Sequence, residues 1–322
     1  MPRPTASDPR GTTAALETPV AFLVFNRPDT TARVFAEIAR ARPRQLLVVA
    51  DGPRADRPGE AERCAEVRGI IERVDRPCDV RTNYSEQNLG CRARVASALD
   101  WVFAEVEEAI ILEDDCLPHP SFFHFCETLL DRYRDDERVT CISGDDFQHR
   151  DGTCDSSYYY SRLVHIWGWA TWRRAWRHYD VAMREWPAAR EAGLLESVWG
   201  TDRSAVAHWR EIFDAVYAGR VDTWDFQWVF ACWKQGGLTV LPCGNLVSNL
   251  GFGREATHTT GASPLAELPL RAMSFPLRAP PYVRASHFAD HFTQHRILSD
   301  DRAVLRLKRW LHRALRRDRA RA

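Results

Sequence analysis

Short apolar runs alternate with segments of helical periodicity through the first half of the chain. The runs VAFLVF (20–25), QLLVVA (45–50) and AIIL (109–112) hold almost no polar side chain, which is typical of strands buried on both faces of a sheet. Residues 80–84 alternate as a further strand would. Strands that alternate with helices predict an α/β fold with a mostly parallel sheet. The intervening apolar residues recur at helical spacing and predict four helices with these buried positions: Val34, Phe35 and Ile38; Cys64, Val67, Ile70 and Val74; Val95, Leu99, Val102 and Val106; Phe122, Phe125, Leu129 and Tyr133.

Polar residues directly follow three of these strands. Ligands of parallel sheets bind beyond the carboxyl ends of the strands, so we expect the three polar segments to line one crevice. Each segment alone is better explained as a turn or a helix cap, and only the three together favour a site. The segments are Asn26-Arg27 after the first strand, Asp51-Gly52 after the second and Glu113-Asp114-Asp115 after AIIL.

Three consecutive acids at the end of a buried strand need a nearby positive charge or hydrogen-bond donors. Crowded carboxylates repel one another and lose hydration, which costs several kcal/mol per charge if they stay unpaired. A divalent cation such as Mg²⁺ or Mn²⁺ resolves the repulsion, often through one or two protein carboxylates plus substrate phosphates. A nucleotide-sugar supplies both phosphates and hydroxyls that the remaining acids can bind. The alternative is that the acids cap the next helix or pair with nearby arginines.

The chain beyond residue 150 is rich in aromatic residues. TWDFQWVFACWKQGG begins a predicted helix, and LTVLPCGNLVSNLGFGREATHTTG predicts a strand followed by a glycine-rich loop. The twelve tryptophans suit either an aromatic surface for sugars or bases, or a tryptophan-rich core. Residues 262–285 contain several prolines and predict a wrapping segment. Residues 302–317 place leucines on one stripe among arginines, which predicts a basic amphipathic helix able to rest on an anionic membrane; a helix packed on the protein or a solvated tail is the alternative.

Composition narrows the class of protein only moderately. The 322 residues suffice for one large α/β domain or two smaller ones. Lysine plus arginine and aspartate plus glutamate both number 44, so net charge predicts no nucleic-acid partner. The nine cysteines are scattered without a C-x-x-C pair, which argues against a disulfide framework and a cysteine zinc site. Residues 1–17 lack the apolar stretch of a signal peptide, and we expect a cytoplasmic protein.

Six fragments in one order resemble a known family. FNRPDTTARVF follows the first strand, ADG the second, and ARVASALDWVF leads into AIILEDD, before PSFFHFC, WGWATW and SNLGFG. From residue 19 to 258 the chain resembles GT-A fold glycosyltransferases of the bacterial sugar-transferase group, sometimes labelled hemolytic and related to N-acetylglucosaminyltransferase I. The resemblance implies a Rossmann-like GT-A sheet flanked by helices, with a tryptophan-rich acceptor half and a basic terminal helix.

By position, the resemblance assigns the residues around the acids to the donor. Asp115 matches the carboxylate that holds Mn²⁺, or Mg²⁺, against the donor diphosphate. Asp114 would accept a hydrogen bond from the ribose and Glu113 one from the donor sugar. Arg27, with Asn26 beside it, would contact the diphosphate, because a guanidinium binds phosphate oxygens in pairs.

The resemblance also implies a base pocket and a general base. Asp51 occupies the position of the family's uracil-binding aspartate, Arg94 lies on the helix that closes the pocket, and Asn88 and Gly90 shape its edge. Asp225 is our candidate general base, within Trp224-Asp225-Phe226-Gln227-Trp228, which is one residue longer than the family's W-D-D-W cluster. A helix N-cap is its structural alternative, and Asp145 and Asp146 are competitors. His258 occupies a second metal-ligand position of some GT-A enzymes, but a solvent-exposed loop residue is the better expectation there.

These assignments imply a metal-dependent enzyme that transfers a sugar, with inversion, from a UDP-sugar to a hydroxyl of a glycan or lipid-linked acceptor. We divide the chain into a disordered N-terminus (1–17), a nucleotide-sugar-binding half (18–150), an acceptor and catalytic half (151–261) and a wrapping segment with the basic helix (262–322). That helix would make the enzyme peripheral at the inner face of the membrane. A nucleotidyltransferase that makes sugar nucleotides, or a carbohydrate-binding or membrane-active protein without catalysis, is the alternative.

Overall fold

An eight-stranded sheet forms the centre of the computed structural model, which describes residues 15–148, 154–251, 265 and 268–298. The order across the sheet is β3-β2-β1-β4-β8-β6-β9-β7, while β5 and β10 form a separate antiparallel pair. The strands are β1 (Val20–Val24), β2 (Gln45–Ala50), β3 (Asp79–Tyr84), β4 (Glu108–Glu113), β5 (Cys116–Pro118), β6 (Val139–Ser143), β7 (Tyr158–Ser161), β8 (Trp169–Trp172), β9 (Leu238–Pro242) and β10 (Val247–Asn249).

Six of the eight strands run in one direction. β3, β2, β1 and β4 are mutually parallel, and β6 and β9 share their direction across the antiparallel strand β8. The edge strand β7 is antiparallel to β9. The predicted α/β class with a mostly parallel sheet flanked by helices is therefore confirmed.

The helices cover both faces of this sheet. The first, α1, buries the predicted Val34, Phe35 and Ile38, and it begins with Pro28, whose fixed φ and missing N–H suit a first helical turn. Helix α10 continues as a π-helical segment, Thr293–Leu298. The helices are α1 (Pro28–Ala41), α2 (Glu60–Ile71), α3 (Cys91–Glu105), α4 (Ser121–Arg132), α5 (Arg173–Trp176), α6 (Trp186–Glu191), α7 (Leu194–Trp199), α8 (Arg203–Tyr217), α9 (Asp225–Lys234) and α10 (His287–Phe292).

Strand β1 shows how the two hydrophobic cores divide the sheet. All five of its residues are buried, because successive side chains point to opposite faces and both faces are covered. Val20, Phe22 and Val24 pack with α1, α2 and α4, whereas Ala21 and Leu23 pack with α3 and α9. The apolar run in the sequence thus reflects two cores rather than one.

Tryptophans build much of the second half of the molecule. Of the eleven tryptophans that the structure describes, eight are buried, which supports a tryptophan-rich core over an exposed aromatic surface. Trp169 lies at the centre of one cluster, with ring centroids 5.8 Å from Trp224 and 5.6 Å from Trp228. A further cluster surrounds Trp209 and Trp233, whose ring centroids are 4.7 Å apart.

The two chain ends are described only in part. Of the segment 1–17, residues 15–17 are described, and Leu16 is buried and bridges Pro43. Residues 268–285 run without regular secondary structure until Ala285 bridges Tyr160 of β7. The predicted helix at 302–317 and His258 lie outside the described residues. Within them, no helix is both long and apolar enough to cross a membrane.

Candidate active site

A cavity of about 540 Å³ opens where strands β1, β2 and β4 end. The sheet therefore brings the three polar segments to one place, beside residues of the 222–225 segment that precedes and begins α9. Asn26 is the one predicted site residue that does not line the cavity. The predicted residues that line it are Arg27, Asp51, Asn88, Gly90, Arg94, Glu113, Asp114, Asp115 and Asp225.

The chain turns sharply at the acids, so that all three can face the cavity. Glu113 ends β4, and after Asp114 and Asp115 the chain continues as β5. Arg27 Nη1 donates to Asp115 Oδ2 at 2.6 Å and lies 3.5 Å from Asp114 Oδ1. The backbone N–H of Phe25 donates to Asp114 Oδ2 at 3.1 Å. The described residues supply no hydrogen bond to the Glu113 carboxylate.

Negative charge in this cluster is only partly compensated. Burial, and then repulsion from Asp115, raises the pKa of both Glu113 and Asp114, while Arg27 acts in the opposite direction. Asp225 also repels Glu113, so the second half of the molecule adds to the negative field. The guanidinium that contacts the cluster, among the residues described, cannot neutralise three carboxylates. The site therefore favours a further positive charge.

Residues after β10 pack tightly against Asp115. The backbone N–H of Leu250 donates to the Asp115 carbonyl oxygen at 2.7 Å. A Cβ added to Gly251 would lie 2.1 Å from Asp115 Oδ2 and 3.0 Å from Asn249 Oδ1, so only glycine allows this approach. Asn249 Oδ1 accepts a hydrogen bond from the Gly251 N–H at 2.7 Å, so a carboxylate oxygen and an amide oxygen both lie beside this glycine. Such hard oxygen donors fit Mg²⁺ or Mn²⁺.

Both carboxylate oxygens of Asp51, in contrast, already accept hydrogen bonds from the protein. Its Oδ1 accepts hydrogen bonds from the backbone N–H groups of Gly52 at 2.9 Å and Leu89 at 3.0 Å. Its Oδ2 accepts from Gly90 N at 3.2 Å and from Asn88 Nδ2 at 3.1 Å. Gly90 has a φ of 78°, a conformation that favours glycine. The Asp51 carboxylate thus holds the 88–90 loop at the edge of the cavity.

Arg94 joins the ends of two strands beside this loop. Its Nε donates to the Ala50 carbonyl at 3.2 Å, and its Nη2 donates to Asn83 Oδ1 at 3.0 Å. Burial lowers the pKa of the Arg94 guanidinium. The side chain lies in the wall of the cavity, with its charge close to the carboxyl ends of β2 and β3.

Asn26 does not line the cavity; its side chain instead makes a hydrogen bond to Glu60. Its Nδ2 donates to Glu60 Oε1 at 2.9 Å, and Glu60 also accepts from the backbone N–H of Arg54 at 2.7 Å. Arg54 lines the cavity and was not predicted. Its place in DGPR after the second strand was a usable signal, since that segment had already been identified as a strand end.

Asp225 is the first residue of α9, and Trp224 occupies the N-cap position. The alternative that Asp225 is the N-cap of this helix is therefore wrong, because the N-cap is the preceding residue. Its Oδ1 accepts from the backbone N–H of Phe226 at 2.9 Å and from the Thr223 hydroxyl. Thr223 and Asp222 were not predicted, yet both line the same cavity.

The competing acids lie elsewhere. Asp145 is buried and paired with His165 Nδ1. Asp146 is also buried, and its Oδ1 accepts hydrogen bonds from Gln148 N at 3.0 Å and the Tyr159 hydroxyl at 3.2 Å. Neither aspartate lines the cavity. Of the three candidate bases, only Asp225 reaches the space beside the acid cluster.

The chain matches no protein-family model and no curated protein. Among solved structures it resembles a UDP-glucose pyrophosphorylase complexed with UDP-glucose, at 10% identity over 50% of this chain and 78% of that chain, with a TM-score of 0.30. It also resembles the inositol-1-phosphate CTP transferase from T. maritima, at 8% identity over 71% and 86%, with a TM-score of 0.36. A third is 4-diphosphocytidyl-2C-methyl-D-erythritol synthase from Anaerococcus prevotii, at 12% identity over 62% and 84%, with a TM-score of 0.30. At these scores the resemblances carry no functional inference.

Proposed function

We propose that the cavity binds a nucleoside-diphosphate sugar with a divalent cation, and that the chain transfers the sugar to an acceptor hydroxyl. One observation carries the proposal: a single cavity holds three under-compensated carboxylates, the one arginine that contacts them, Arg27, and a further aspartate, Asp225. The cavity volume of about 540 Å³ lies within the usual range for small-molecule sites, roughly 300 to 1,000 Å³. A UDP-sugar is the proposed donor.

Asp115 and Asn249 are the residues that would hold Mn²⁺ or Mg²⁺. Asn249 Oδ1 and Asp115 Oδ2 both lie close to Gly251, and Asn249 Oδ1, which accepts a hydrogen bond from Gly251 N, has a second lone pair for the ion. When bound, the cation supplies positive charge against the diphosphate as it departs. Because diphosphate oxygens would complete the ligand set, the cation and the nucleotide should bind cooperatively.

The remaining residues around the acids suit the donor's hydroxyls and phosphates. Glu113 has an unused acceptor in the described part of the site, which is what a sugar hydroxyl requires. Asp114 is proposed to accept from the ribose. Arg27 pairs with Asp115 in the present arrangement. The proposed donor phosphate would draw that guanidinium away, because the cation takes over the neutralisation of Asp115.

The base end of the cavity is proposed to lie between β2 and α3. Arg94 and the 88–90 loop form this wall, and Asp51 fixes the loop. Asn88 Nδ2 donates to the Gly52 carbonyl at 2.9 Å and to Asp51 Oδ2 at 3.1 Å, so the Asn88 amide oxygen is the group that we propose meets the polar edge of a nucleobase. Asp51 would contact the base only by giving up one of the hydrogen bonds that it accepts from the loop.

Asp225 is proposed to remove the acceptor proton as the hydroxyl oxygen attacks the anomeric carbon. A positioned general base of this kind contributes about 10² to 10⁴ in rate. Trp224 and Trp167 line the same cavity, and indole faces pack well against the apolar face of a sugar ring. An attack from the Asp225 side with departure toward Asp115 gives inversion at the anomeric carbon. The acceptor is proposed to be a glycan or a lipid-linked sugar.

A ligand screen followed by product analysis tests the proposal. The full chain is heated with a panel of UDP- and other nucleotide-sugars, with Mn²⁺ and with EDTA. A ligand at 100 times its Kd should add about 2.7 kcal/mol to the free energy of unfolding. We expect stabilisation that requires both nucleotide and Mn²⁺.

Product identity then separates transfer from nucleotide activation. Release of UDP on adding an acceptor is the expected result. Release of pyrophosphate from UTP and a sugar 1-phosphate would replace our proposal with a nucleotidyltransferase. Stabilisation by no nucleotide-sugar at any metal concentration would contradict both activities and favour a protein without this catalysis.

A further inference from the structure

Two histidines and an aspartate meet in a cluster outside the cavity. His291 lies on α10 and His295 on the π-helical segment, and their ring centroids are 4.4 Å apart. His295 Nε2 lies 2.6 Å from Asp202 Oδ2. One ligand atom from each of the three residues lies within 4.8 Å of the others. None of the three lines the active-site cavity.

The aspartate is held in place by its helix. Asp202 is the N-cap of α8, and its Oδ1 accepts from Ala205 N and from the Ser204 hydroxyl, both at 3.0 Å. Those two bonds fix the orientation of the carboxylate. They leave Oδ2 directed at His295, so one oxygen serves the helix and the other serves the cluster.

We propose that Asp202, His291 and His295 bind one Zn²⁺ ion. Imidazole nitrogen with a carboxylate oxygen is a ligand set that suits Zn²⁺, whereas Mg²⁺ and Mn²⁺ prefer oxygen ligands alone. Zinc bonds of roughly 2.0 to 2.2 Å place tetrahedral ligand atoms roughly 3.3 Å from one another. His295 Nε2 and Asp202 Oδ2 are closer than that, at 2.6 Å, and all three ligand atoms lie within 4.8 Å of one another, so small side-chain shifts bring them to tetrahedral spacing. His291 is exposed, so its ring can rotate toward the ion, and water completes the shell.

Zinc at this position would fasten the C-terminal part of the described chain to α8. The two already meet through Trp209 Nε1, which donates to Gln294 Oε1 at 2.8 Å. The segment is also held by Asp290, which accepts from the Ser161 hydroxyl at 2.6 Å. These contacts do not need the ion, so the metal-free chain stays folded and zinc adds stability.

Calorimetry and Co²⁺ absorption on the metal-free full chain test the site. We expect one equivalent of Zn²⁺ to bind and to raise Tm, and Co²⁺ to give the strong visible absorption of a low-coordinate site that Zn²⁺ abolishes. His291→Ala should weaken Zn²⁺ binding at least about tenfold. His287→Ala is the matched control, because His287 lies one turn earlier on the same helix, is exposed and lies outside the cluster.

The variants also separate this site from the acid cluster. Asp115→Asn should leave the Co²⁺ spectrum and the Zn²⁺-dependent rise in Tm unchanged. An equal Tm for His291→Ala and wild type without metal shows that the variant is folded. Three results would overturn the proposal: no Zn²⁺ binding by the wild type, equal binding by His291→Ala and wild type, or an equal loss in His287→Ala.

Discussion

The sheet places carboxylates at the ends of β2 and β4, and the protein surrounds the two ends differently. Asp51, after β2, accepts hydrogen bonds from three backbone N–H groups and from the Asn88 amide. Among the described residues, the acids after β4 share one guanidinium, from Arg27, one backbone N–H, from Phe25, and the weakly donating Cys116 thiol, 3.6 Å from Asp115 Oδ1. Both ends lie on the same cavity.

This difference separates a carboxylate that stabilises the fold from carboxylates that we propose bind a cation. The position at a strand end does not distinguish the two, because both satisfy the rule that places sites there. The number of hydrogen-bond donors around each carboxylate does distinguish them. The Asp51 carboxylate, whose hydrogen bonds all come from the chain, holds a loop in place. The acids after β4 repel one another and so cost stability, and a bound cation would offset that cost.

The largest effect should come from Asp115→Asn, which removes an anionic metal ligand with little change in volume. We expect the transfer rate to fall about a thousandfold or more, equivalent to about 4 kcal/mol in the barrier. The Tm of the metal-free protein should change little, because the lost repulsion with Glu113 and Asp114 offsets the lost ion pair with Arg27. Rates at saturating Mn²⁺ and calorimetric scans in EDTA give the two values. A fall in the metal-free Tm would mean that the cluster is structural, as Asp51 is.

Asp225→Asn should lower turnover by about two powers of ten or more, while donor affinity stays nearly intact. The amide keeps the shape of the side chain but cannot take up the acceptor proton. Initial rates and titration of the donor separate these effects.

Asp222→Asn is the matched control for Asp225→Asn. Asp222 lines the same cavity, but its side chain is 71% exposed, so turnover should change less than about threefold because solvent screens its charge. Near-normal turnover in Asp225→Asn would exclude it as the base.

Periodicity in the sequence was sufficient to predict the strands of the parallel part of the sheet. The strand at residues 45–50 was predicted with its observed bounds, and the buried positions of α1 were predicted as well, because apolar runs and helical spacing are local signals. The antiparallel insertion of β8 between β4 and β6 was not predicted. Its pairing joins residues far apart in the chain, and four aromatic-rich residues fit a strand or a helix equally well.

The same limit applies to the candidate site. Strand ends converge by a general rule, which was enough to place Arg27, Asp51 and the three acids at one cavity. The family resemblance, not that rule, supplied Asn88, Gly90, Arg94 and Asp225. Asn26 turns toward Glu60 and Asn249 enters beside Asp115, and both facts depend on side-chain direction and tertiary packing. The cluster of Asp202, His291 and His295 is a stronger case, since Asp202 and His295 are 93 positions apart and no spacing pattern links them.

Asp51→Ala tests the structural side of the comparison. The substitution leaves three loop N–H groups without their acceptor, and we expect a loss of about 2 kcal/mol in the free energy of unfolding. Asp51→Asn retains one acceptor oxygen and should lose less. Denaturant titration without ligand measures both losses. Full stability with a lost affinity for UDP would instead make Asp51 a ligand contact.

The smallest expected effect concerns Glu60, a further carboxylate near the cavity. Like Asp51, it accepts hydrogen bonds from the protein. Hydrogen bonds from Arg54 lower the pKa of Glu60 to about 2, with further help from Asn26, against an ordinary value of 4.5. A carboxyl group with a lower pKa in the folded state stabilises the fold fully above pH 4.5, and this stabilisation is lost as the pH falls toward 2. Glu60→Gln should therefore cost about 1 kcal/mol at neutral pH.

The pH dependence of that difference is the decisive measurement. The gap in unfolding free energy between wild type and Glu60→Gln should be constant from about pH 6 to pH 7, because Glu60 is ionised in both states there. Below pH 4.5 the gap should narrow, since the unfolded wild-type chain takes up a proton that the folded chain does not. Denaturant titrations at several pH values supply the curve. A gap that widens on acidification would show that Glu60 is better stabilised when protonated, and would place it with the acid cluster rather than with Asp51.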